Sequence, residues 1–128
     1  MVFELTAGGV EKVLHRFTGP KNGDGIWPLA GVVRDESTGN LYGTTELGGT
    51  GPCTVNHHRK GCGTVFQLSP PPTKHGRWSE TTLHSFNVGG DGYYPDAGLV
   101  RDAQTGDLYG ATSGGGTYSY GVVFKLTP

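Results

Sequence analysis

Two seven-residue stretches, GNLYGTT at Gly39–Thr45 and GDLYGAT at Gly106–Thr112, stand sixty-seven residues apart and differ at two positions. A repeated sequence must build a repeated structural unit, so this similarity constrains the 128-residue chain more than any other feature. It extends in both directions. The stretch Thr82–Pro128 aligns with Val13–Gly51 and then, after a longer loop, with Cys62–Pro70. Leu14 matches Leu83, Phe17 matches Phe86, Asp24 matches Asp91, Pro28 matches Pro95, Gly31 matches Gly98, Arg34 matches Arg101 and Tyr42 matches Tyr109. A shorter motif occurs three times, as VFELT at Val2, VFQLS at Val65 and VFKLT at Val123, at intervals of 63 and 58 residues. The first unit is longer by two residues between Phe17 and Asp24 and by nine after Gly51.

Each unit holds four segments rich in Val, Leu, Phe, Tyr and Thr, separated by Gly, Pro, Asp or Asn, which is the pattern of short strands between tight turns. In the complete unit these are Ala30–Asp35, Leu41–Thr45, Thr64–Ser69 and Glu80–Phe86. DESTGN at Asp35–Asn40 and DAQTGD at Asp102–Asp107 have a glycine where a hairpin needs positive φ. Neither helical periodicity nor an N-cap before an apolar stripe occurs. Four antiparallel strands at an interval near sixty residues predict an all-β chain of tandem propeller blades. Residues 1–28 carry the third and fourth strands of one blade and a loop, 29–86 a complete repeat, and 87–128 the first to third strands of the next. About two blades are too few to close a propeller, so the chain is expected to be incomplete as a monomer. Tyr42 and Tyr109 are expected in the same inter-sheet slot, with Gly43 and Gly110 letting a neighbour approach closely.

Composition agrees: 24 glycines and only 34% apolar residues suit many short strands with tight turns. Ten basic residues against eleven acidic, with one short cluster HHRK at His57–Lys60, leave nucleic-acid binding without an electrostatic footprint. No apolar run is long enough for membrane insertion, and MVFELTAGG lacks the regions of a signal peptide. Because the numbering begins inside an expected strand, a targeting sequence can lie outside it.

The combined pattern DGxxPxAGLVRDxxTGxLYGxTxxGG, GTVFxLxP and WSETTLHSF resembles the tandem repeats of choice-of-anchor GloVer-containing proteins, which are bacterial surface or secreted proteins. The resemblance covers essentially the whole chain. It implies a propeller-like all-β array, an extracellular or cell-surface setting and no enzymatic activity.

The residues nominate few sites. Cys53 and Cys62, nine positions apart in a glycine-bracketed loop, point to a disulfide in an oxidising compartment. A zinc site adding His57 and His58, and a pair of free thiols, are the alternatives. Asp24 and Asp91 lie in glycine-rich loops; calcium is one reading of them, and an aspartate bonding its own turn is the other. Trp27, Tyr93 and Tyr94 follow those aspartates and can either stack on sugar rings at a rim or pack between blades. Arg34–Asp35 and Arg101–Asp102 suggest ion pairs joining adjacent blades. His15 and His84 match by repeat, which argues for a structural task. No nucleophile elbow, HExxH or phosphate loop occurs, so no catalytic residue and no cofactor is assigned. The expected partners are further copies of the chain or adjacent repeats, with glycans second; a polysaccharide-active enzyme is the least favoured reading.

Overall fold

The computed structural model describes residues 1–55, 57–73 and 75–128. Its main strands form one antiparallel hairpin and two antiparallel meanders. β1 (Val2–Leu5) pairs with β2 (Glu11–His15). A 3-10 turn at Pro20–Asn22 and the short β3 (Gly25–Ile26) lead to β4 (Val33–Arg34) and β5 (Leu41–Thr45). A long rim loop follows, holding β6 (Leu47–Gly48), which pairs with β3, and the small hairpin of β7 (Thr54–Val55) and β8 (His58–Arg59). β9 (Thr64–Ser69) and β10 (Ser79–Ser85) complete a four-stranded sheet in the order β4-β5-β9-β10. β11 (Val100–Arg101), β12 (Leu108–Ala111) and β13 (Val123–Leu126) form the last sheet in chain order. Among the described residues no sheet closes on itself, and no helix is long and apolar enough to cross a membrane.

The second and third expected strands coincide with β5 and β9, and the fourth is β10 displaced by one residue. The expected strand Ala30–Asp35 shrinks to Val33–Arg34. Pro28 cannot donate to a ladder and Gly31 has no side chain to pack, so the segment enters the sheet late. The same shortening recurs at β11, behind Pro95 and Gly98. Each β4–β5 type hairpin turns as the sequence predicts. Gly39 at φ 76° donates to Asp35 O at 2.8 Å, and Gly106 at φ 81° donates to Asp102 O at 2.9 Å.

The four-stranded sheet is buried on both faces at its centre: in β9, Val65 belongs to one core and Phe66 and Leu68 to the other. On one side Phe66 and Leu68 meet Val2, Leu14, Phe17 and Trp78. On the other, Tyr42, Val65 and Phe86 meet Leu99, Leu108, Phe124 and Leu126. The two junctions use equivalent residues. Phe17 packs edge-on against Phe66 at 5.1 Å, and Phe86 packs edge-on against Phe124, also at 5.1 Å. Within each unit the phenylalanine of the third strand lies over the glycine of the second. A Cβ on Gly43 would stand 2.6 Å from Phe66 Cζ, and one on Gly110 would stand 2.5 Å from Phe124 Cζ. The glycine after each repeated tyrosine is therefore the floor on which that ring rests.

Candidate functional site

The chemically distinctive residues lie at one rim of the stack and at the junctions between sheets. At the rim, Cys53 and Cys62 are joined by a disulfide, with Cα atoms 4.9 Å apart. Both are buried in the core shared with the last sheet. The loop they close is further held by Lys60 N–H donating to Cys53 O at 2.9 Å and Gly48 N–H donating to Lys60 O at 2.7 Å. It also forms a docking point: Tyr94 N–H, from the next unit, donates to Cys62 O at 2.9 Å. With both sulfurs in the bond, the zinc alternative has no thiolates; the His58 side chain lies outside the described residues.

Tyr94 and its counterpart Trp27 are both left-handed, at φ 60° and 59°. For residues with a Cβ this conformation costs about 1–2 kcal/mol. At Tyr94, contacts oppose that cost: its ring meets Tyr93 edge-on at 4.9 Å, and both tyrosines pack on the core. Trp27 O accepts from Glu46 N–H at 3.0 Å, as Tyr94 O accepts from Ser113 N–H at 3.0 Å, yet Trp27 remains 53% exposed. It borders a groove of about 630 Å³ lined by Arg16, Phe17, Ile26 and Pro28. The three aromatics are thus distributed over two equivalent loops, with Trp27 open and the tyrosine pair packed.

Asp24 and Asp91 are bonded within their turns. Asp24 Oδ2 accepts from Thr18 N–H at 2.6 Å and Thr18 Oγ1 at 3.0 Å, while Oδ1 accepts from Gly25 N–H at 2.6 Å. His15 Nε2 lies 3.6 Å from the same Oδ2. In the next unit Asp91 Oδ2 accepts from Asn87 N–H at 2.9 Å and stands 3.1 Å from His84 Nε2. Each histidine–aspartate pair ties the end of a fourth strand to the following loop. Each loop supplies one carboxylate, against the six to eight oxygens calcium takes. Glu80, facing Asp24 and His15, is pushed above the ordinary carboxylate range by burial and then by the Asp24 charge.

Arg101 joins two sheets: its Nη2 stands 3.0 Å from Asp35 Oδ2, and both side chains are largely buried. Asp35 Oδ1 meanwhile accepts from Ser37 N–H at 2.9 Å and Ser37 Oγ at 2.8 Å. These Ser37 bonds, with a smaller effect of Arg101, hold its pKa down to about 2. Asp107 is held at about 2 chiefly by Lys125, 2.7 Å away, and by Thr127 and Thr105. Sequence inspection did not anticipate the Asp107–Lys125 contact, because Lys125 occupies the position of Gln67 and Glu4 in the other two copies of its motif.

Sheets of one design, joined by equivalent aromatic contacts, define the class as an all-β repeat protein. The chain belongs to the Gloeobacter/Verrucomicrobia repeat family, whose sequence model matches residues 1–128. This agrees with the GloVer motifs of the sequence. No curated protein and no solved structure matches the chain.

Proposed function

We propose that this is a non-enzymatic extracellular repeat protein with a structural role, in which each meander sheet is a propeller blade and the protein works by joining further sheets of its own kind. One observation carries the proposal. The junction between the first two sheets is reproduced between the last two, while apolar residues whose counterparts pack at those junctions stand exposed at the ends, Phe3 and Leu5 at one and Val100 and Val123 at the other. Exposed apolar area of this kind is removed from water by association. The buried disulfide supports an oxidising compartment. Sedimentation velocity across the micromolar range tests the proposal: it expects species heavier than the 13.5 kDa chain, and a compact monomer throughout refutes it.

The exposed Trp27 ring, beside Arg16 in an open groove, favours a second reading, a carbohydrate-binding role. Binding to a glycan array that disappears in Trp27→Ala supports it; an array without a hit removes it.

A further inference from the structure

The joint between successive sheets has a direction. The earlier sheet contributes Asp35, Tyr42 and Val65, and the later sheet contributes Leu99, Arg101, Leu108 and Phe124. The four-stranded sheet carries this later-sheet half a second time, on its other side, as Val32, Arg34, Leu41 and Phe66. There the first sheet covers Phe66 but leaves Arg34 open. Among the described residues the Arg34 side chain, 59% exposed, pairs only with the exposed Glu36, at 3.7 Å, whereas Arg101 is 17% exposed and bound to Asp35. Arg34 and Val32 border a groove of about 490 Å³ whose wall is completed by Phe3 and Glu4 of β1, a strand that pairs with β2 alone among the described residues. The three-stranded sheet carries the complementary half on its outer face, as Val100, Asp102, Tyr109 and Val123. Val123 is 83% exposed although its counterparts Val2 and Val65 are buried.

We infer that the outer face of the three-stranded sheet docks into this groove on a second copy of the chain, with Asp102 of the incoming copy against Arg34. The inference rests on the assembly reading above and names its interface. Asp102 is prepared for the role as Asp35 is: its Oδ1 accepts from Gln104 and Thr105 N–H, and no cation stands at its Oδ2 among the described residues. A backbone match accompanies the charge match. Tyr94 N–H donates to Cys62 O, but the equivalent Trp27 N–H finds no acceptor among the described residues. The residue of the incoming sheet equivalent to Cys62 is Tyr120, which is exposed.

Docking displaces β1: the incoming β13, VFKL, differs from β1, VFEL, at one position and takes its place beside β2, releasing β1 as in a strand swap. The composite sheet then has four strands, three from one copy and β2 from the other. The contact is heterologous, so it closes a ring where its rotation allows. Each copy adds one complete and one composite sheet.

Light scattering coupled to size exclusion tests this on Arg34→Glu, Val123→Glu and the double variant Arg34→Glu/Asp102→Lys. Arg34 and Val123 are exposed, so the first two variants keep the monomer fold, checked by circular dichroism. Arg34→Glu is expected to weaken association by at least about tenfold, as removal of one partner of an interfacial charge pair does, and Val123→Glu to do the same by placing an unpaired carboxylate in the interface. The double variant, whose reversed charges again match head to tail, is expected to recover it. Assembly unchanged by Arg34→Glu and Val123→Glu overturns this interface while leaving the assembly reading intact. A wild-type chain that stays monomeric at all concentrations overturns both.

Discussion

Reduction of the Cys53–Cys62 bond should loosen a junction as well as a loop. The bond links residues nine positions apart, and the chain-entropy relation for a loop of that size gives about 2.6 kcal/mol of lost stability. An unfolding entropy of about 2.1 cal/mol/K per residue amounts to roughly 270 cal/mol/K for this chain, so each kcal/mol moves Tm by about 4 °C. Adding reductant should therefore lower Tm by about 10 °C, measured by calorimetry on the same protein with and without it. The variant Cys53→Ala/Cys62→Ala should fall further, by on the order of 1 kcal/mol, because two buried sulfurs are also lost. Hydrogen exchange adds a local readout. Tyr94 N–H, bonded to Cys62 O, should exchange faster in the reduced protein, while the Tyr42 amide on β5 changes less. A Tm shift under about 2 °C on full reduction would refute the reasoning, because the backbone bonds of Lys60 and Gly48 would then hold the loop unaided.

Gly43→Ala places a methyl group against the fully buried Phe66 ring and should cost about 2 kcal/mol in urea unfolding. Gly110→Ala should cost less, because Phe124 is only half-buried and can yield; equal costs would remove the ring-over-glycine explanation. Asp35 and Asp107 titrate near pH 2 in the folded chain, against about 3.9 when unfolded. Because the folded values are the lower ones, their contribution to stability is complete above about pH 4 and is lost as pH falls towards 2. Asp107→Asn should flatten that part of the stability profile, and an unchanged acid limb would show that Lys125 and Thr127 do not hold this carboxylate in solution.

Much of the architecture was legible because repetition supplies information that propensity alone does not. Leu41–Thr45 and Thr64–Ser69 are rich in strand-forming residues in two aligned copies, and the glycine after each tyrosine marks a close approach. The disulfide was legible from a glycine-bracketed excursion with a cysteine near each end. Residues 30–32 were misjudged because their strand-like composition was weighed above Pro28 and Gly31. The strands β3, β6, β7 and β8, two residues each, are too short to leave a period in sequence. Of the candidate site, His15 and Asp24 each stood out as repeated, but their mutual contact depends on how a fourth strand meets the next loop. No spacing rule encodes that meeting. The contrast between exposed Arg34 and buried Arg101 is likewise invisible in sequence, since the two positions differ only in which neighbour stands in front of them.

The rim loop has one more implication. Thr45 and Thr64 are nineteen positions apart, while Thr112 and Val122, which bracket the corresponding loop, are ten apart. Yet Leu41 faces Leu68 as Leu108 faces Leu126, and Gly43 faces Phe66 as Gly110 faces Phe124. The ladder does not register what happens between its two strands at this edge. A lineage can therefore lengthen, staple or redecorate this segment in one unit without renegotiating the packing of the others. Diversity among such chains should accumulate here, on a framework whose interior is held constant by its own periodicity.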